Sequence, residues 1–144
     1  MTDEQKRATQ HVLNNMIEGA KQVLANGIPV GIGTDSGCPY ITQYDMWREV
    51  SYFSTYCGVS KEYALYIATL QNAKILGIDG ETGSVEVGKS ADLIVVEKNP
   101  LEKLENLKDI QMVMVKGELI SKIRIKHLKH IDKALDQIGE DSLS

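Results

Sequence analysis

The sequence predicts an α/β fold, and three observations carry that reading. An amphipathic helical stretch ends at Asn26-Gly27 and runs straight into Ile28-Pro29-Val30-Gly31-Ile32-Gly33-Thr34, which is apolar on both faces. Helix, tight turn, buried strand and polar loop, in that order, make one step of an α/β chain. Two more helical patterns follow between Tyr44 and Leu76, and beyond Gly83 the apolar period changes from helical to alternating, which marks strands.

Thr2 and Gln5 stand three apart as a capping box, after which Val12, Leu13, Met16, Ile17, Ala20, Val23 and Leu24 recur at helical spacing. Pro29 suits only the beginning of the strand over 28–34. Asp35-Ser36-Gly37-Cys38-Pro39 then breaks the chain into a loop. Tyr44 to Cys57 reads as a helix with Met46, Trp47, Val50 and Phe53 on one side, stopped by Gly58. Ser60 caps the next helix, which carries Ala64, Leu65, Ile67, Ala68 and Ile75 and stops at Gly77. Val85 and Val87 alternate with polar residues as a first β segment, and Leu93 to Val96 reads as a more fully buried strand. Ile110, Met112 and Met114 share one face of another strand, and Lys116-Gly117 turns it into a last one at Leu119-Ile120. Lys122 to Ile138 is expected to form a terminal helix, with a frayed end after Gly139. Met46, Trp47, Phe53 and Met112 are expected in the interior.

The chain has 144 residues, 42% of them hydrophobic and 25% charged, enough for about one domain. A whole (β/α)8 barrel takes about 250 residues and seldom fewer than about 200. Sixteen basic residues against 20 acidic ones leave a net charge of −4, which gives no electrostatic reason to expect a nucleic-acid or membrane partner. No apolar run reaches the roughly 18 residues of a membrane span, and Met1 to Arg7 is polar where a signal peptide needs an apolar stretch. The expected compartment is cytoplasmic, with Cys38 and Cys57 as free thiols.

Asp35 is the candidate for chemistry, because a buried parallel strand delivers its last side chain into the crevice at its carboxyl end, where catalytic groups of α/β proteins collect. Position alone leaves an alternative open, in which Asp35-Ser36-Gly37 is only a turn. Other motifs are weaker. Gly31-x-Gly33 lacks the third glycine of a dinucleotide loop, since position 36 is Ser36. Ser36 lacks the frame of a nucleophile elbow, and Cys38 has no histidine nearby in sequence. His127 and His130 are spaced for a chance metal pair on one helix face, a weak signal that yields to the reading of a solvated helix end. Lys122, Arg124, Lys126 and Lys129 are followed directly by Asp132 and Asp136, as on a mixed solvated face.

Three segments together resemble the metal-dependent amidohydrolase superfamily. Gly33-Thr34-Asp35-Ser36 is similar to the end of its final barrel strand, Ala68-Thr-Leu-Gln-Asn-Ala-Lys-Ile-Leu-Gly77 to the helix that follows, and Gly83-Ser-Val-Glu-Val-Gly-Lys-Ser-Ala-Asp-Leu93 to its return into a small β-domain. The resemblance spans roughly residues 10 to 120 and is strongest to the imidazolonepropionase-like and prolidase-like branch. It implies the C-terminal fragment of a (β/α)8 barrel over 1–78, part of a small β-sandwich domain over 79–121, and a helical tail over 122–144. It also implies hydrolysis of a carbon–nitrogen bond in an amide, cyclic amide or dipeptide, with Asp35 both touching the metal and shuttling the proton. The family has Asn two residues after the Thr of the helix motif, where this chain has Gln71 and then Asn72. The family's His-x-His is absent, and the three histidines are His11, His127 and His130.

A hydrolytic zinc site needs about three protein ligands and an open position. The chain alone is therefore expected to hold zinc or another divalent metal only weakly and to hydrolyse nothing at a useful rate. Its expected partners are an amide or peptide substrate in the complete enzyme and either the N-terminal barrel portion or a second copy. The competing reading is a non-catalytic binding or assembly module built on the same scaffold.

Overall fold

A computed structural model describes residues 2–142 as a mixed helical and stranded chain. Helix α1 spans Asp3–Ala25. Thr2 Oγ1 accepts the Gln5 N–H at 3.2 Å and Gln5 Oε1 accepts the Thr2 N–H at 2.8 Å, so the capping box forms. At the other end the chain reverses through Gly27 at φ 68°. Helix α2 spans Met46–Cys57 and ends in left-handed Gly58.

The next helical stretch is continuous but not uniform. Helix α3, Lys61–Tyr66, begins where Ser60 Oγ accepts the Tyr63 N–H. It passes into a π-helical turn over Ile67–Gln71 and then into α4, Asn72–Leu76, stopped by left-handed Gly77. A π turn widens the helix by one residue and is commonly found at functional sites. Here it immediately precedes Asn72.

Strands β1, Leu93–Val96, β2, Ile110–Val115, and β3, Glu118–Ile120, make a three-stranded antiparallel sheet in the order β1-β2-β3. The register pairs Ile94 with Val113 and Met114 with Leu119. The β2–β3 turn puts both Lys116 and Gly117 at positive φ, as a two-residue hairpin whose twist matches its strands requires. Asp92 holds it by accepting the Lys116 N–H at 2.7 Å. A short 3-10 helix, Leu104–Lys108, links β1 to β2 and packs on α2.

Val50 of α2, Ala64 of α3 and Leu104 of the 3-10 helix form the core, ringed by Ile32, Met46, Leu65 and Leu107. That core is small. A compact chain of 16.0 kDa exposes roughly 7,400 Å², whereas this one exposes 10,446 Å². Much of the excess is apolar. The stripe of α1 has the expected spacing; Ile17, Ala20, Val23 and Leu24 are half-buried where α1 meets α2, while Val12, Leu13 and Met16, nearer its start, lie in solvent.

Four expectations are corrected. Residues 28–34 run extended but form no strand among the described residues, since a strand exists only when a neighbour takes up its backbone groups. Val85 and Val87 likewise pair with nothing and are fully exposed. Leu93–Val96 is a strand, but Leu93, Ile94, Val95 and the facing Met112 are exposed, and only Val96, Ile110, Val113 and Met114 of the sheet are half-buried among these apolar residues. Finally, α5 starts only at Lys129 and runs to Ser142. Ile123 and Ile125 alternate with Lys122, Arg124 and Lys126 at a period of two, which is wrong for a helix. The last two residues of the end expected to fray lie outside the described residues.

Candidate functional site

Asp35 sits where the extended segment 28–34 meets its loop, and the anchor of that segment is a side chain. Asn72 Oδ1 accepts the Ile32 N–H at 3.1 Å, and Asn72 Nδ2 donates to the Ile32 carbonyl at 2.8 Å. One primary amide thereby satisfies both backbone groups of Ile32, as a neighbouring strand would do. The approach is close enough to require glycine next door: a Cβ on Gly31 would lie 2.6 Å from Asn72 Oδ1 and 3.2 Å from Ile75 Cδ1. A lone Asn beside Gln71 gave no periodic signal of this role. The paired glycines of the apolar run were the available hint that something comes near.

Asp35 itself is exposed and left-handed, at φ 51°. Among L-residues, Asp and Asn tolerate this conformation best, and its cost is of order 1 kcal/mol or more. The loop bends again through Gly37 at φ 119° and Tyr40 at φ 64°, with an isolated bridge between Ser36 and Cys38. Both Cys38, exposed, and Cys57, half-buried, are free thiols.

The loop ends in a buried polar group. Thr42 Oγ1 donates to Asp45, whose other oxygen accepts from Arg48 Nε at 3.2 Å, and all three residues are buried. Arg48 Nη2 reaches Asp136 of α5 at 2.6 Å. Burial opposes the Arg48 charge, but the carboxylates of Asp136 and Asp45 outweigh it and hold the guanidinium above its ordinary range. Beside it, burial pushes the Glu49 carboxyl up. The Tyr44 hydroxyl accepts the Leu128 N–H at 2.9 Å and donates to Asp132 Oδ1 at 2.8 Å. These contacts join residues more than 80 apart, and periodicity carries no trace of them.

The histidines do not gather round Asp35. His11 lies on α1 against Asn15. His127 precedes α5, 3.3 Å from Asp132 Oδ2 and 4.7 Å from the Tyr44 ring centre, so it shares no helix face with His130. Among the described residues no three of His, Cys, Asp and Glu come together to hold a metal. A single exposed carboxylate is one donor, and zinc takes four. The donor set of the described residues therefore does not by itself fit a resident metal. What it does offer is a solvent-facing carboxylate on an anchored stem, able to accept and return a proton.

The chain belongs to the amidohydrolase family, whose sequence model matches residues 4–120. An imidazolonepropionase of Picrophilus torridus is 33% identical over 96 residues, covering 67% of this chain and 24% of the relative. A 5-methylthioadenosine/S-adenosylhomocysteine deaminase of Syntrophus aciditrophicus is 30% identical over 123 residues, covering 72% of this chain and 28% of the relative. Among solved structures, a candidate prolidase from Bifidobacterium longum superimposes with a TM-score of 0.88 at 42% identity, over 95% of this chain and 34% of its own. The chain thus spans about a quarter to a third of the length of the relatives it matches.

Proposed function

We propose that the chain supplies the Asp35 portion of an enzyme that hydrolyses carbon–nitrogen bonds in amides, cyclic amides or dipeptides. In this reading residues 1–78 are the last helix–strand–helix part of a (β/α)8 barrel, 79–121 part of a small β-domain and 122–144 a tail. The family match and the carbon–nitrogen chemistry named for its relatives support the class of reaction. The observation that carries the role of Asp35 is its place at the exposed end of a segment anchored by Asn72.

The amidohydrolase family is generally metal-dependent. Zinc or another divalent ion would belong to the complete assembly, with most of its donors outside these 144 residues. Within this chain, a carboxylate oxygen of Asp35 takes the proton of the attacking water and returns it to the leaving nitrogen. Asn72 positions Asp35 by fixing Ile32, three residues upstream. The remaining barrel strands come from polypeptide outside this chain, docked on 28–34 and the apolar face of α1. The exposed surface of 10,446 Å² also favours a second reading, a non-catalytic assembly module.

The test is complementation. This chain is co-expressed with the part of the Bifidobacterium longum relative that it does not cover, and release of free amine from dipeptides and cyclic amides is followed. Turnover is expected, and Asp35→Asn is expected to lower kcat by about 10² to 10⁴, the range for losing a positioned general base, with KM nearly unchanged. Ser36→Ala and Cys38→Ala should stay within several-fold of the parent. A stable complex without turnover supports the assembly module instead. Near-parental kcat in Asp35→Asn overturns the role of Asp35.

A further inference from the structure

Next to Thr34, the residue before Asp35, lies a cavity of about 270 Å³ that the proton transfer by Asp35 does not use. The loop lines it with Tyr40 and Ile41, α2 with Arg48 and Tyr52, and the tail helix α5 with Leu135. Its location matters because substrate groups flanking a reacting bond must lie within a few ångströms of the group that moves the proton. Its size suits one side group of a small substrate rather than a whole ligand.

The tail reaches this cavity by a specific route. Tyr44 ties down Leu128 and Asp132 through its hydroxyl, and Arg48 ties down Asp136. Asp132 and Asp136 are one helical turn apart, so the two contacts fix α5 both along its axis and about it. Leu135 stands directly before Asp136, and that seating makes it a wall of the cavity.

The wall has a definite chemistry. Tyr40, Ile41, Tyr52 and Leu135 present apolar and aromatic surface. The guanidinium of Arg48 is engaged by Asp45 and Asp136, and Glu49 adds another carboxylate to the lining. Carboxylates outnumber the cation, so an anionic group entering here meets repulsion and a neutral apolar one does not.

Resting on the hydrolase reading above, the geometry points to α5 as a specificity element: Leu135, with Tyr40, Ile41 and Tyr52, holds a neutral apolar or aromatic side group of the amide substrate against Thr34, the residue before Asp35. A C-terminal tail then selects substrate for a carboxylate about a hundred residues upstream.

N-acetyl-L-phenylalaninamide is the probe, titrated into the full chain and followed by methyl NMR at Ile41 and Leu135. Saturable shifts at both methyl groups are expected, with N-acetyl-L-aspartate giving none. Leu135→Trp fills the cavity and should weaken binding at least tenfold, while Lys133→Trp, on the exposed side of α5, should leave it within twofold. If Leu135→Trp disturbs the fold by circular dichroism, Leu135→Ala replaces it and should shift preference several-fold toward N-acetyl-L-tryptophanamide. Absence of shifts, equal binding of the aspartate probe, or equal losses in the Leu135 and Lys133 variants overturns the inference. The two readings fail separately. Probe binding at Leu135 without hydrolysis in the complemented complex sinks the hydrolase reading alone. Hydrolysis with a KM indifferent to Leu135 sinks the specificity element alone.

Discussion

Replacing Asn72 by Ala removes the side chain that, alone among the described residues, stands in for a strand neighbour along residues 28–34. Both backbone groups of Ile32 lose their partner, at 3.1 and 2.8 Å in the intact chain. Such a hydrogen bond contributes about 0.5–1.5 kcal/mol net, and a buried group left unpaired costs about 1–3 kcal/mol. Ile32 and Asn72 are only part-buried, so water recovers some of this, and about 2 kcal/mol is the expected total. For a chain of this size that corresponds to a fall in Tm of roughly 4–8 °C. Asn72→Asp separates the two bonds. It keeps an acceptor for the Ile32 N–H but sets a carboxylate against the Ile32 carbonyl, so it should cost at least as much at pH 7. Part of the loss should return below about pH 4, where a protonated carboxyl can donate again. Thermal unfolding at matched protein concentration measures the global effect, and amide hydrogen exchange at Ile32 the local one. Exchange there should quicken by roughly 10- to 30-fold for 1.4–2 kcal/mol of local stability. Unchanged Ile32 exchange together with a stability change under about 0.5 kcal/mol, the size of an ordinary surface substitution, would refute the anchor.

Three further outcomes are expected. Because burial raises the folded-state pKa of Glu49, its contribution is present below the unfolded value of about 4.3 and lost as pH rises through the folded one; Glu49→Gln should therefore raise Tm at pH 7 and make little difference near pH 4. Of the two thiols, exposed Cys38 should react with a disulfide reagent well before Cys57, which is half-buried and whose thiol burial pushes up against the lowering influence of Lys21; a single fast phase that survives Cys38→Ser would reverse the order. Roughly 3,000 Å² of surface beyond that of a compact chain of this mass should make the isolated chain self-associate at micromolar concentrations, and light scattering that shows a sharp monomer throughout would contradict that.

The sequence by itself determined the local elements. Thr2 with Gln5, Ser60, Gly58 and Gly77 mark helix ends through bonds and dihedrals that involve only near neighbours, and each helix they bound formed in place. The Lys116-Gly117 turn and the strands beside it were legible for the same reason. Whether an apolar run becomes a strand or a stripe becomes core depends on a neighbour that periodicity cannot name. Residues 28–34 and 84–87 have the strand pattern without a ladder, and α1 has a stripe of which only the C-terminal half is covered. Asp35 was legible as a position at the end of an apolar run. Its anchor through Asn72, 40 residues from Ile32, and the seating of α5 by Tyr44 and Arg48 were not. Those contacts follow from where the folded backbone places single polar side chains, and only the tertiary structure decides that, because one amide or one hydroxyl leaves no repeating mark in the chain that carries it.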